Sequence, residues 1–267
     1  MRIGIVGGGF MGEAFLRGIL RAEVAAPSDI AVAEIDDARR VVLAEHDVRV
    51  TEDAESACIG ADVVLLAVKP LDLPSAARAL QGAIPGDAVL ISIVAGVTLD
   101  EVQALSGHRA CVRVMPNLPV AIGEGAAVYL TGESVTEAQR RRVLRILDAV
   151  ATAVVEVDDD EAVDLATALH ASGPAYVYLM IESMIDAVVR LGMKRPDATR
   201  LALSTVIGAA RYAVETGRHL AELRNAVTSP GGTTAAALAE LEGAGLRAAF
   251  DDAIEAAFER ARELGEQ

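Results

Sequence analysis

Short apolar runs alternate with amphipathic stretches through the first 158 residues of the chain. The runs predict seven strands, at Arg2–Val6, Ile30–Glu34, Asp62–Val68, Ala88–Ile93, Ala110–Met115, Ala126–Leu130 and Ala153–Val157. Several of them are apolar throughout, which is typical of parallel strands covered on both faces. Between the first two runs, Met11, Phe15 and Ile19 recur at a spacing of four, which predicts a helix with one face on the sheet. The alternation therefore predicts an α/β fold with a doubly wound sheet over residues 1–158.

From residue 159 onward the pattern changes to alanine-rich segments with helical periodicity. It predicts helices at about 161–170, 174–192, 197–217 and 219–226, and one or two more between 234 and 265. Residues 159–267 are thus predicted to form an all-helical C-terminal domain. The apolar stretch from Leu165 to Ile181 is too short for a membrane span and contains Gly173 and Pro174, so we expect a buried core segment.

Composition and charge narrow the classes of function. Of 267 residues, 52% are hydrophobic and 24% are charged, which excludes a disordered chain. The formal net charge of −15 disfavours nucleic acids and anionic membrane surfaces as partners. Cys58 and Cys111 have no second cysteine or histidine at metal-ligand spacing, so we expect two reduced thiols and no metal site. Because no apolar leader follows Met1, the sequence favours a cytoplasmic protein.

A glycine-rich turn links the first predicted strand to the first predicted helix. The sequence from Gly7 to Gly12 fits the pattern G-x-G-x-x-G. In this pattern Gly7 permits a tight turn, Gly9 lets the backbone approach a pyrophosphate, and Gly12 lets the helix pack closely on the strand. The N–H groups at the start of the helix, around Phe10 and Met11, are further donors to phosphate. The first domain is therefore predicted to be a Rossmann-type dinucleotide-binding domain.

Glu34 ends the second predicted strand, 22 residues after Gly12, where a ribose-binding acid is expected. A carboxylate there accepts a hydrogen bond from the ribose 2′-hydroxyl and repels a 2′-phosphate, which favours NAD. Arg39 and Arg40 lie within one helical turn and could bind the 2′-phosphate of NADP if Glu34 points away. A third interpretation is a solvated acid at the end of a strand.

A loop rich in glycine and hydroxyl groups separates two predicted helices of the second domain. It runs Thr228-Ser229-Pro230-Gly231-Gly232-Thr233-Thr234. Two glycines before a helix start leave backbone N–H groups bare, and such donors suit a small carboxylate. The hydroxyls of Ser229, Thr233 and Thr234 could add hydrogen bonds or pass a proton. The alternative is an N-cap, with Thr233 or Thr234 as the capping residue.

Six motifs resemble, in their order along the chain, those of the pyrroline-5-carboxylate reductases. They are the glycine loop, Ala67–Pro70, Ser92–Val97, Val114–Asn117, Ala171–Tyr176 and Val227–Thr234. The last motif is close to a signature of that family. The resemblance covers essentially the whole chain.

The resemblance implies hydride transfer from NADH or NADPH to the imine carbon of 1-pyrroline-5-carboxylate, which gives L-proline in the last step of proline biosynthesis. It implies that the substrate carboxylate and ring nitrogen are bound by Ser229, Gly231, Gly232, Thr233 and Thr234, with Thr234 and Ser229 as the catalytic hydroxyls. It also implies that the cofactor lies against the glycine loop and against Ala67, Val68, Lys69, Pro70, Val94 and Ala95. The family usually takes NADPH, whereas Glu34 favours NADH.

The helical domain resembles the interleaved dimerisation domain of the family. The resemblance therefore implies a homodimer, which in this family often assembles further into a decamer. Each active site would then lie between the nucleotide domain of one subunit and helices shared by two. Three positions depart from the family pattern besides Glu34. Ala54 stands where relatives often have an asparagine that contacts the adenosine ribose, and Ala171 stands where they usually have glycine. His170 replaces a serine, either as a titrating group near the substrate or, favoured by its apolar neighbours, as a core histidine.

Two other functions stay open at this point. One is a reductase of another cyclic imine on the same scaffold, and the other is a nucleotide-dependent regulator without turnover. A hydroxyacid dehydrogenase is disfavoured, because those enzymes resemble one another in a helix-borne catalytic lysine. The second domain of this chain has one lysine, Lys194, in a predicted turn.

Overall fold

One eight-stranded sheet organises the first part of the chain in the computed structural model, which describes residues 1–265. Its strands are β1 (Ile3–Val6), β2 (Ile30–Ala33), β3 (Arg49–Thr51), β4 (Val63–Leu66), β5 (Val89–Ser92), β6 (Cys111–Pro116), β7 (Gly125–Thr131) and β8 (Ala151–Val157), in the spatial order β3-β2-β1-β4-β5-β6-β7-β8. The pairs from β3 to β6 are parallel, β7 runs antiparallel to β6, and β8 is parallel to β7. The order of the strands reverses at β1, which has β2 on one side and β4 on the other.

Helices cover both faces of this sheet. They are α1 (Phe10–Arg21), α2 (Asp37–Ala44), α3 (Ala54–Cys58), α4 (Leu73–Leu80), α5 (Leu99–Ser106) and α6 (Glu137–Leu147). Successive residues of a strand point to opposite faces, so Val63 and Leu65 pack with Phe15 and Ile19 of α1, whereas the intervening side chains pack with α4 and α5. The doubly wound α/β fold is thereby confirmed.

The seven predicted strands are confirmed with small shifts at their ends, but the sequence did not indicate β3. This strand has three residues, lies at the edge of the sheet and is half exposed, so it carries no apolar run to recognise. The antiparallel turn from β6 to β7 was also not predicted.

The second part of the chain is helical. It contains α7 (Asp160–Ala166), a π-helical turn (Thr167–Ala171), α8 (Gly173–Arg190), α9 (Arg195–Thr216), α10 (Leu220–Ala226), α11 (Thr233–Gly243) and α12 (Leu246–Gly265). The chain divides into two compact units, one of residues 1–172 with the segment from Ala257 onward, and one of residues 173–256. The division into domains at 158 and 159 stays a prediction, and the last two residues of the predicted domain 159–267 lie outside the described residues. Among the described helices, none is long and apolar enough to cross a membrane.

The prediction that residues 165–181 form a buried core segment is wrong for the single chain. The π-helical turn interrupts it, and Leu169, Tyr178 and Leu179 are more than half exposed. The unit of residues 173–256 buries one small cluster, formed by Ile181, Ile185, Ala198 and Ala202. The physical reason for the error is that periodicity indicates an apolar face but does not say whether the same chain covers it.

Candidate active site

The glycine loop follows β1 and ends in α1. Gly7 has a positive φ of 99°, and a Cβ atom at this position would lie 2.6 Å from the carbonyl oxygen of Ala67. A Cβ atom at Gly12 would overlap the carbonyl oxygen of Gly7. Gly9, in contrast, has nothing within 4 Å of its Cβ position, and it precedes the first residue of α1 without a side-chain cap. Gly7 and Gly12 are thus required by close packing, whereas Gly9 faces open space, which fits the pyrophosphate of a dinucleotide.

The other segments predicted to border the cofactor follow strands at the carboxyl edge of the sheet, where the glycine loop also lies. The N–H of Gly7 donates to Ala33 O (2.9 Å), and that of Ala67 donates to Val6 O (2.8 Å). The segments that include Ala67–Pro70 and Val94–Ala95 follow β4 and β5 directly. The carboxyl edge at a reversal of strand order is where open α/β sheets bind ligands. Val94 itself is buried, so it can present only its backbone there.

Glu34 points at the glycine loop. Its Oε2 accepts from the N–H of Gly8 (2.8 Å), and its Oε1 accepts from the N–H of Asp36 (2.9 Å). The interpretation of Glu34 as a solvated strand-end acid is therefore wrong. Arg39 does not reach outward either, because it donates to Gly8 O from Nη2 at 2.6 Å and from Nε at 3.2 Å.

Arg39 also links the loop to α1 through Glu13. Its Nη2 lies 2.7 Å from Glu13 Oε2, while His46 Nε2 and Arg17 Nε lie 3.5 and 3.7 Å from Glu13 Oε1. Burial alone raises the pKa of Glu13, but hydrogen bonding and charge attraction from Arg39, with contributions from His46 and Arg17, outweigh it and leave this pKa below its ordinary value of 4.5.

We expect Glu13→Gln to lower the free energy of unfolding near neutral pH, and this loss to shrink in acid. An acid with a lowered folded-state pKa stabilises the fold above its unfolded pKa and stops doing so as the pH falls through the folded value. The stabilising contribution of Glu13 therefore begins to fall below about pH 4.5, the ordinary pKa of the group. Urea unfolding of both proteins from pH 7 downward measures the difference, and a difference that does not change with pH would contradict this expectation.

The loop of residues 228–234 ends at α11 without a side-chain cap. The N-cap is Gly232, so the interpretation of Thr233 or Thr234 as the capping residue is wrong. Gly231 has a positive φ of 68°, and the N–H of Gly232 closes the turn onto Ser229 O (3.0 Å). Within residues 1–265, the hydroxyls of Ser229, Thr233 and Thr234 make no hydrogen bond. The start of α11 therefore combines bare N–H donors with three uncommitted hydroxyls, as a small anion requires.

His170 lies in the π-helical turn and is half-buried. Its Nδ1 is 2.6 Å from Ala166 O and its Nε2 is 2.8 Å from Met115 O. Both polar atoms thus face backbone carbonyls, which supports the core-histidine interpretation. In the described part of the chain, no three His, Cys, Asp or Glu side chains group as metal ligands.

Gly8 is a residue that the sequence analysis missed. It occupies a variable position of the glycine pattern, yet a side chain there would overlap Cδ1 of Leu43 and approach Glu34. The signal was present as a third consecutive glycine, from Gly7 to Gly9.

Known proteins share both the sequence and the structure of this chain. Residues 160–264 match the family model for pyrroline-5-carboxylate reductase dimerisation, and residues 2–96 match the one described as NADP oxidoreductase, coenzyme F420-dependent. The pyrroline-5-carboxylate reductase of Synechocystis sp. is 40% identical, over 100% of this chain and 99% of that protein. That of Methanosarcina acetivorans is 39% identical, over 100% and 98%.

Solved structures agree. The pyrroline-5-carboxylate reductase of Coxiella burnetii superposes with a TM-score of 0.92 at 34% identity, over 100% of this chain and 99% of that one. The Plasmodium falciparum enzyme with NADP bound gives a TM-score of 0.88 at 28% identity, over 99% and 98%. Since full-length relatives share well over 30% of their residues with it, the chain belongs to the pyrroline-5-carboxylate reductase family.

Proposed function

We propose that this chain reduces 1-pyrroline-5-carboxylate to L-proline with NADH or NADPH, as the last step of proline biosynthesis. Family membership supports the reaction, and the observation that carries the site is the start of α11. Backbone N–H groups without an acceptor and hydroxyls without a partner lie there within one turn. A structural N-cap would have supplied those N–H groups with a side-chain acceptor, and α11 has none. A regulator that had lost turnover would be expected to have a changed substrate loop, whereas this loop is intact.

The glycine loop is the cofactor site in this proposal. The N–H groups of Gly9, Phe10 and Met11 would hold the pyrophosphate, while Gly7 and Gly12 keep strand and helix close. The nicotinamide supplies a hydride when bound. Ala67, Val68, Lys69, Pro70, Val94 and Ala95 would line its path along the carboxyl edge of the sheet.

The loop at α11 is the substrate site. The N–H groups of Gly231 and Thr233 would bind the carboxylate beside Gly232, whose own N–H closes the turn onto Ser229 O, and the hydroxyls of Thr234 and Ser229 would bind the ring nitrogen. A cyclic imine is basic enough to arrive protonated, so the chain needs no strong acid there. As the hydride adds to the imine carbon, the π electrons move to nitrogen, which keeps its proton and becomes the amine of proline. Orientation of the ring is then the main work of these residues.

Cofactor oxidation with 1-pyrroline-5-carboxylate, followed at 340 nm with NADH and NADPH in parallel, tests the reaction. Turnover supports it. Cofactor binding without turnover would indicate a regulator. The six-membered-ring homologue of the substrate is assayed in the same way, and turnover with it alone would show that the substrate is another cyclic imine.

We expect Thr234→Ala to lower kcat by about tenfold to a hundredfold, because it removes a hydrogen bond to the reacting nitrogen. The free energy of unfolding should change by less than about 0.5 kcal/mol, since this hydroxyl has no partner in the described chain. Thr216→Ala, which removes a helix hydroxyl bonded to Tyr212 O at 2.7 Å, is the control. Intact turnover together with a loss of about 1 kcal/mol would instead indicate a structural role for this hydroxyl.

We further propose a homodimer formed through α8–α12, with a decamer as the larger assembly. The match of residues 160–264 to the dimerisation model supports it. So do the apolar side chains that this unit leaves exposed, among them Tyr178, Leu179, Leu201, Ile207, Tyr212, Val214 and Leu220. Sedimentation equilibrium measures the mass of the assembly, and a monomer at micromolar concentration would contradict both.

A cytoplasmic location completes the proposal. Cys58 and Cys111 are both buried and unpaired. Burial raises the pKa of each thiol to about 12, with the charges of Asp53 and Glu55 adding to the shift at Cys58. Such thiols are packing residues, as expected in a reducing compartment.

A further inference from the structure

Charged side chains hold both polar groups of Gly8, and both come from the segment after β2. The N–H of Gly8 donates to Glu34 Oε2 at 2.8 Å, and its carbonyl oxygen accepts from Arg39 Nη2 at 2.6 Å. The glycine loop and the end of β2 are therefore one hydrogen-bonded unit. The position of the Glu34 carboxylate is fixed relative to the loop that would hold the cofactor.

This carboxylate cannot turn away without loss. Its second oxygen accepts from the N–H of Asp36 at 2.9 Å, so rotation would leave two N–H groups without their acceptor. Glu34 also packs directly against the loop, since a Cβ atom at Gly8 would lie 3.3 Å from both Glu34 Cβ and Glu34 Oε2. A negative charge thus stays at the end of β2.

The two nearby arginines are already engaged. Besides Gly8 O, Arg39 binds Glu13 at 2.7 Å. Arg40 donates to Glu34 O (2.8 Å) and Ile35 O (2.9 Å) and pairs with Asp37. To meet a phosphate, Arg40 would have to give up Nη contacts within the chain, whereas Arg39 has only Nη1 outside the contacts made by its Nε and Nη2. Around the loop, four carboxylates (Glu13, Glu34, Asp36 and Asp37) outnumber the three arginines (Arg17, Arg39 and Arg40).

We propose that Glu34 makes this enzyme selective for NADH over NADPH. The proposal rests on the proposed function only in that the loop holds a dinucleotide. The 2′-hydroxyl of NADH donates to a carboxylate that is already in place. The 2′-phosphate of NADPH carries close to two negative charges and meets that same fixed carboxylate, which repels it.

Isothermal titration of the ligand-free protein with ADP-ribose and with ADP-ribose 2′-phosphate tests this without any turnover. The wild type should bind ADP-ribose about tenfold or more tightly than its 2′-phosphate. In Glu34→Gln this ratio should fall to about threefold or less, because the charge is gone while one acceptor remains. Glu45→Gln, an exposed acid at the end of α2, is the matched control and should keep the wild-type ratio.

A wild-type ratio near one would overturn the proposal, even if Glu34→Gln does not fold. A ratio unchanged in Glu34→Gln, or changed equally in Glu45→Gln, would also overturn it. Selective binding of ADP-ribose with no reduction of any imine would refute the proposed reaction and leave this selectivity standing. The two failures are therefore distinguishable.

Discussion

Gly12→Ala should weaken NADH binding by about a hundredfold or more and lower the free energy of unfolding by about 1–3 kcal/mol. The added methyl group would overlap Gly7 O and lie 3.4 Å from Ala67 Cβ. Because the overlapped atom is backbone, no flexible side chain can move aside. Strand β1 and helix α1 must separate, and the loop between them loses its geometry. Urea unfolding and calorimetric titration with NADH measure the two effects.

Gly9→Ala is the matched control for this result. Gly9 has φ −64° and nothing within 4 Å of its Cβ position, so alanine fits and the free energy of unfolding should change by less than about 0.5 kcal/mol. Its methyl group would still enter the space proposed for the pyrophosphate, and NADH binding should weaken. If both variants bound NADH with full affinity, the glycine loop would not be part of the cofactor site.

The sequence predicted the first part of the fold well because the residues that favour a strand locally are also the ones that are buried between the layers of the fold. Val63–Leu66 is apolar at every position because the strand is covered on both faces, and that leaves a run that can be recognised. Arg49–Thr51 has no such run, since an edge strand of three residues is stabilised by its neighbour β2 rather than by burial.

The candidate site was predictable in type but not in orientation. The position of Glu34 follows from its distance to Gly12, but the sequence left open whether it points toward the loop or toward solvent. That choice depends on the N–H of Gly8, which lies elsewhere in the chain, and on the N–H of Asp36. At α11, four hydroxyls suggested a side-chain cap. The left-handed backbone at Gly231 instead places Gly232 at the N-cap, and Thr233 becomes the first residue of the helix.

The largest expected loss of stability follows from Arg113→Met. Arg113 lies on β6 with its side chain 5% exposed, and its two Nη atoms pair with Asp160 (2.5 Å) and Asp164 (2.6 Å) of α7. Methionine fills much of the same volume but leaves two carboxylates facing a buried position without a cation. Removing one partner of a buried ion pair costs about 3–5 kcal/mol, which urea unfolding resolves easily.

Arg141→Met is the control that shows how much of the loss in Arg113→Met depends on burial of the ion pair. It breaks the pair of Arg141 with Glu137, whose side chains are 65% and 67% exposed, and should cost less than about 1 kcal/mol because water screens that pair. Combining Arg113→Met with Asp160→Asn and Asp164→Asn should recover part of the loss, since the uncompensated charges disappear. Equal losses in the two arginine variants would mean that the Arg113 pair is no stronger than a surface contact. A large loss that the triple change partly restores would show that Arg113 stabilises the packing of β6 against α7 by neutralising two acids.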